Sequence, residues 1–441
     1  MNTLEQLRTG QLLGTKQLKL ACGLSEFPTE IFELAETLEV LDLSGNALST
    51  LPADLPRLKR LRILFCSGNR FSELPTVLGR CEALEMVGFK SNQIHHVPAQ
   101  AIPPQLRWFI LTDNQIATLP AVLGQCQRLQ KLALAGNRLS ALPASMAACT
   151  RLELLRISAN QFSELPDWLL KLPRLSWLAF GGNPINLEAE RQALSESPLP
   201  SVAWQQLQLE QKLGEGASGV IYRAQLRGQQ AVALKVFKGE VTSDGLPSSE
   251  MAAAIQAGSH PHLIPVQARL VEHPEQAMGL LMQLVASDFQ SLAGPPSLQS
   301  CTRDVYADDL RIDLAQLLRL AAGIASAAQH LQGQGLLHGD LYAHNILHDR
   351  QAAALLGDFG AASFFDSKNP ALAQALQAIE VRAFGCLLEE LLERCEPTDS
   401  HQTALGQLRS LLQDCLNDEP AQRPSFTQIV QQLLLLSFET S

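Results

Sequence analysis

The sequence predicts two architectures in series: an α/β solenoid built on a parallel β ladder, then a mixed α+β domain. Three observations carry this expectation. Asparagines recur at Asn46, Asn69, Asn92, Asn114, Asn137, Asn160 and Asn183, at spacings of 23, 23, 22, 23, 23 and 23 residues. That pattern fades after residue 186, and strand-like alternation with clustered glycine begins soon after. The second half then gathers charged and amide side chains into a few short loops.

Bulk properties bound the reading. A chain of 441 residues is long enough for several domains, and 46% hydrophobic with 18% charged residues is ordinary for globular cores. A net charge of −10 argues against a nucleic-acid binder, which is usually basic. The first twenty residues lack a basic stretch followed by an apolar run, so no secretory signal is expected. No run of about 18 apolar residues stands out, so no membrane span is expected either. Nine cysteines occur without a Cys-x-x-Cys pair, which points to reduced thiols and a cytoplasmic protein.

The repeats follow the frame Leu-x-x-Leu-x-Leu-x-x-Asn-x-Leu-x-x-Leu-Pro, as in Leu38, Leu41, Leu43, Asn46, Leu48, Leu51 and Pro52. A Leu-x-Leu pair puts two apolar side chains on one face of a short strand. The asparagine amide can satisfy turn backbone groups, and proline breaks the chain into a return segment. One repeat cannot bury its leucines alone, so the copies must stack. The pattern over about residues 15–186 resembles the leucine-rich-repeat family. Gly23 replaces asparagine in the first copy, which suits an end cap. The residues between the leucines are expected to line a concave face, and Ile63, Phe65, Met86, Trp108, Ile110 and Trp177 would offer a protein partner, or this chain's own second domain, an apolar surface. Cys81, Cys126 and Cys149 share one repeat position and are expected as small core residues rather than metal ligands.

Residues 1–186 are thus assigned to the solenoid with its caps, 187–206 to a linker containing Pro198 and Pro200, and 207–438 to the second domain.

That domain opens on Leu213, Gly214, Glu215, Gly216, Ala217, Ser218, Gly219 and Val220, a Gly-x-Gly-x-x-Gly-x-Val pattern. Glycines let a tight turn approach phosphate oxygens without side chains in the way. Strands rather than a helix are expected on both sides, which fits a nucleotide-covering hairpin and not a dinucleotide fold. Lys235 follows in Val232-Ala233-Leu234-Lys235, and Glu250 comes 15 residues later on a helical stretch, placed to form an ion pair. His338-Gly339-Asp340-Leu341-Tyr342-Ala343-His344-Asn345 sets Asp340 and Asn345 five apart, and Asp358-Phe359-Gly360 lies 18 residues beyond Asp340. Asp340 can orient an acceptor hydroxyl, while Asn345 and Asp358 are hard oxygen ligands suited to Mg²⁺.

In that order and spacing, residues 207–438 resemble the protein kinase superfamily. The resemblance implies a bilobal protein kinase-like fold, ATP and Mg²⁺ as cofactors, Lys235, Glu250 and Asp340 as catalytic groups, and Asn345 and Asp358 as metal ligands. It also implies adenine stacking near Ala233 and Val220, Met282 as gatekeeper, and hinge contacts around Gln283 to Val285. The activity implied is transfer of the ATP γ-phosphate to a protein hydroxyl, serine or threonine ahead of tyrosine, with the repeats recognising a partner or restraining the domain.

Three departures qualify the resemblance. Gly339 replaces the usual Arg before Asp340, so gating through a phosphorylated loop is not expected. Tyr342 and His344 stand where Lys or Arg often assists the transferred phosphate. Only 22 positions separate Asp358 from Glu380, and no Ala-Pro-Glu is present, which leaves Arg423 without its usual glutamate partner. Two alternatives therefore stay open: a pseudokinase scaffold that binds nucleotide without turnover, and a small-molecule kinase resembling the aminoglycoside phosphotransferases, which share the His-Gly-Asp form.

Overall fold

The computed structural model describes residues 2–216, 218–239, 241–396 and 402–439. The chain divides into two compact units, Met1–Leu172 and Pro173–Ser441.

The first unit opens on a short helix, α1 (Leu4–Arg8), held by a capping box in which Thr3 and Gln6 satisfy each other's backbone N–H groups. Seven three-residue strands follow: β1 (Gln17–Lys19), β2 (Val40–Asp42), β3 (Ile63–Phe65), β4 (Met86–Gly88), β5 (Trp108–Ile110), β6 (Lys131–Ala133) and β7 (Leu154–Arg156). Each pairs in parallel with the next, in constant register, such as Leu41 with Leu64 and Leu64 with Val87. The middle residue of each strand points inward, and Leu41, Leu64, Phe109, Leu132 and Leu155 are fully buried. Burying one such side chain contributes roughly 1.5–3 kcal/mol.

The asparagines tie one repeat to the next. Asn137 Oδ1 accepts from Ile116 N–H at 3.0 Å, while its Nδ2 donates to the carbonyls of Leu111 and Leu134 at 2.9 Å. Asn46, Asn69, Asn92, Asn114 and Asn160 repeat this bridge. Return segments run as short 3-10 turns that begin after prolines such as Pro75, Pro120 and Pro143. Cys81, Cys126 and Cys149 are buried there, and burial pushes their thiols up to about 11. They are core residues, as the sequence suggests.

The concave apolar surface needs correction. Ile63 and Met86 are buried, and Phe65, Trp108 and Ile110 are half-buried. Neighbouring rungs cover one another: a Cβ on Gly88 would lie 2.6 Å from the Phe65 ring, and Lys131 Nζ stands 4.3 Å from the Trp108 ring centroid. Trp177 is 1% exposed and stacks on Tyr342, so it is covered by this chain's own second domain, the other occupant expected for it, and not left for a separate partner.

The second unit begins inside the last repeat, with β8 (Trp177–Ala179) and then α2 (Pro184–Ser195) and β9 (Ser201–Ala203). The stretch read as a linker is therefore largely folded. Pro184 falls in the first turn of α2, where its missing N–H costs nothing. Pro198 and Pro200 lie in the short connection to β9.

The small lobe is a six-stranded sheet in the order β10 (Leu207–Glu215), β11 (Gly219–Leu226), β12 (Gln230–Phe237), β14 (Gly279–Gln283), β13 (Val266–Val271) and β9, with α3 (Pro247–Ala257) beside it. Strand β9 joins in parallel and the other pairs are antiparallel. Val202 of β9 shares the sheet's core with Ala224, Val232, Leu234, Leu270 and Leu281. The large lobe contains β15 (Gln290–Ser291), α4 (Leu314–Gly333), β16 (Leu336–Leu337), β17 (Ile346–His348), β18 (Ala354–Leu356), β19 (Ser363–Phe364), α5 (Pro370–Glu393), α6 (Gln402–Cys415) and α7 (Phe426–Glu439). Helix α4 starts at a capping box of Asp313 and Gln316 and buries Leu317, Ala321, Ile324, Ala328 and Leu331 along one face.

Helix α5 is long and apolar enough to cross a membrane by length and composition, and 61% of its most apolar window is buried. Gln374, Gln377, Glu380 and Arg382 interrupt its apolar run, so no continuous apolar stretch stands out in the sequence.

Candidate active site

The glycine turn joins β10 to β11. Gly216 N–H donates to the Gly219 carbonyl at 3.0 Å and closes the turn. A Cβ on Gly214 or Gly216 would meet no atom within 4 Å, whereas one on Gly219 would sit 2.5 Å from the Val236 carbonyl oxygen. Gly219 is thus demanded by strand packing, while Gly214 and Gly216 keep the turn bare. Leu213 and Glu215 are exposed, and Ser218 and Val220 are half-buried; Ala217 lies outside the described residues. Glu215 is engaged with Lys212 and with Lys238, whose Nζ is at 2.7 Å, and these partners hold its carboxyl at about 2.

Lys235 on β12 and Glu250 on α3 form a buried ion pair, 9% and 4% exposed. Asp358 Oδ1 stands 4.0 Å from Lys235 Nζ. Burial alone would lower the Lys235 ammonium; the Glu250 and Asp358 charges outweigh it and raise it, so the group stays protonated. Ala233 is buried and pairs with Met282 across β12 and β14. Met282 is half-buried, and the chain leaves β14 through exposed Gln283 and half-buried Val285 toward the large lobe.

The loop after β16 is held from below. The carbonyl of Gly357 can only accept, so buried His338 donates to it through Nε2 at 3.1 Å, and His338 Nδ1 accepts from Asp340 N–H at 3.3 Å. Gly339 N–H donates to Glu380 Oε1 at 3.0 Å. Burial pushes the Glu380 carboxyl up to about 7, against the backbone N–H groups of Gly339 and His338. Asn345 Nδ2 donates to Asp340 Oδ2 at 2.8 Å and to the Asp340 carbonyl at 2.9 Å, which leaves its amide oxygen as the atom a metal would use. Asp358 adopts φ 59 and accepts from Gly360 N–H at 3.1 Å, with its side chain half-exposed beside Lys235.

The sequence-derived groups Lys235, Glu250 and Asp358 are brought together, and Asp340 is paired with Asn345. Sequence reasoning missed Asp304. It accepts from His344 N–H at 2.9 Å, and its other oxygen lies 2.7 Å from His344 Nδ1. Burial lowers the His344 imidazole, but the hydrogen bond and charge of Asp304, with Asp340 and Asp358, raise it overall. Asp304 sits in an irregular stretch with no motif around it, so no spacing could have found it. Arg423, expected to lack a glutamate partner, donates instead to three backbone carbonyls: Pro173 at 2.6 Å, Ala378 at 2.8 Å and Asn417 at 2.9 Å. Among the described residues, no cluster of three His, Cys, Asp or Glu groups could hold a metal by itself.

Comparisons with known proteins agree with this geometry. Residues 207–387 match the family model described as protein tyrosine and serine/threonine kinase, and residues 37–58 and 127–185 match leucine-rich-repeat models. Fibroblast growth factor receptor 1 of Xenopus laevis is 22% identical over 308 residues, covering 58% of this chain and 38% of that protein. The megakaryocyte-associated tyrosine-protein kinase of Mus musculus is 25% identical over 279 residues, covering 54% of this chain and 52% of that protein. A probable serine/threonine-protein kinase of Dictyostelium discoideum is 24% identical over 265 residues, covering 52% of this chain and 16% of that protein. The chain spans about half or less of each relative's length. With the site's geometry, these matches support a fusion of leucine-rich repeats with a domain similar to the protein tyrosine and serine/threonine kinase family.

Proposed function

We propose that the chain is an ATP-dependent protein kinase. The observation that carries this is the buried Lys235–Glu250 pair with Asp358 at 4.0 Å, together with the hydrogen-bonded Asp340–Asn345 pair. Lys235, fixed by Glu250, holds nucleotide phosphates. Asp340 orients the acceptor hydroxyl and takes its proton as the γ-phosphorus bond to the bridging oxygen breaks and the bond to the acceptor oxygen forms. Asp358 and the amide oxygen of Asn345 are hard donors that fit Mg²⁺, an ion usually held by one or two carboxylates together with phosphates. Bound there, it would neutralise charge building on the phosphate oxygens. Ala233, Val220 and the backbone from Gln283 to Val285 would enclose the adenine.

A serine or threonine acceptor is our reading, and the repeats would supply protein recognition or restraint. The nine free thiols, Cys22 among them exposed, support a reducing compartment such as the cytoplasm. A small-molecule acceptor is the second reading, favoured by the brevity of the chain between Gly360 and the start of α5 at Pro370. Initial-rate phosphotransfer separates these readings. Asp340→Ala should lower the rate on a protein acceptor on the order of 10²- to 10⁴-fold. An unchanged rate would remove Asp340 from the reaction, and transfer to small hydroxyl compounds alone would favour the second reading.

A further inference from the structure

The segment after Asp358 is short, and the last repeat with its helix α2 stands against the same elements. The contacts run in chain order. The Pro173 carbonyl accepts from Arg423. Trp177 Nε1 donates to the Leu341 carbonyl at 3.1 Å, and its ring stacks on Tyr342 with centroids 4.2 Å apart and planes 8° from parallel. Phe180 N–H donates to Ser363 Oγ at 2.9 Å, and Asn186 Nδ2 donates to the Phe364 carbonyl at 2.7 Å. Finally Glu190 Oε2 accepts from Ser249 Oγ at 2.9 Å, while its Oε1 accepts from Gly182 N–H at 2.7 Å. Ser249 immediately precedes Glu250 on α3.

Two glycines record how close this approach is. A Cβ on Gly339 would lie 2.6 Å from the Leu178 carbonyl oxygen and equally close to that of Ala361, so the arginine usual at this position could not be accommodated. A Cβ on Gly181 would lie 3.0 Å from the Ala362 carbonyl and 3.6 Å from Ser249 Cβ. The sequence departure at Gly339 therefore has a packing cause: the backbones of β8 and of Ala361 occupy that space.

We propose that the last repeat and α2 hold the reacting groups in place, with Glu190 a positioning residue for Glu250 through Ser249 and Trp177 a positioning residue for the Asp340 loop. The inference rests on the kinase reading for its consequence, but the contacts themselves can be tested without turnover. Glu190 keeps α3 inward, and Glu250 stays on Lys235 without phosphorylation of any loop. An α3 released from Glu190 swings more freely, and the ion pair opens with it.

The test uses the full chain with Glu190→Ala, Ser249→Ala, Glu190→Gln and, as a control on the exposed face of α2, Glu188→Ala. Amide hydrogen exchange is followed across Pro247–Ala257 beside initial-rate kinetics. Glu190→Ala and Ser249→Ala should each speed exchange in that helix about tenfold and lower kcat by a similar factor, with KM for the acceptor unchanged. Glu190→Gln should restore both, because its carbonyl can accept from Gly182 and its amide can donate to Ser249 Oγ. Glu188→Ala should match the wild type. Wild-type exchange in both Glu190→Ala and Ser249→Ala, or equal acceleration in Glu190→Ala and Glu190→Gln, would overturn the proposal. Absence of transfer by the wild type would count against the kinase reading alone, since exchange is read without it.

Discussion

Glu380 sits beneath the His338–Asp340 loop, 1% exposed, with its carboxyl raised from 4.5 to about 7 by burial. A carboxyl raised on folding contributes stability that is fully present below its unfolded value and is lost as pH rises through its folded value. Between 4.5 and about 7, then, deprotonation costs ~3 kcal/mol at most. Glu380→Gln keeps an acceptor for Gly339 N–H without the charge. It should be more stable than the wild type at pH 8, with most of the gain gone by pH 5, as read by urea denaturation. A gain of equal size at both pH values would contradict the assignment. The grouping of Lys235 with Glu250 and Asp358, and of Asp340 with Asn345, was legible in the sequence because each sits in a short motif whose spacing carries chemistry. Asp304 under His344, and the reason for Gly339, were not. Both depend on packing between segments distant in sequence, which no local pattern encodes.

The repeats were legible element by element, since each asparagine bridges its own repeat to an adjacent one. Asn137→Ala removes three buried hydrogen bonds and leaves Ile116 N–H without its acceptor. An unsatisfied buried group costs about 1–3 kcal/mol, so the midpoint of denaturation of the repeats should fall accordingly. No change in midpoint would mean that the ladder is not what holds the rungs together. The residues around Pro198 and Pro200 misled because two prolines among polar residues look like a linker. The tertiary context gives them a different role: α2 lies against α3, and β9 adds an edge to the small-lobe sheet. Limited proteolysis of the native chain should therefore leave residues 184–203 uncut. Early cleavage there would restore the linker reading.

At the scale of the whole molecule, the repeat frame continues to Asn183 but compactness divides the chain at Leu172 and Pro173. Periodicity is a property of local sequence, so it cannot report that the last copy packs with the elements that follow it. The concave surface shows the same limit. Strand periodicity picks out Ile63, Phe65, Met86 and Trp108, but adjacent rungs cover much of what they would expose. The central claim is phosphotransfer by the second unit, and the most direct measurement is transfer of label from γ-labelled ATP with Mg²⁺ to protein acceptors, wild type beside Asp358→Ala. The account predicts label on protein with the wild type and loss of it on the order of 10²-fold or more with Asp358→Ala. Equal labelling by both, or none by a wild type that binds ATP, would contradict it.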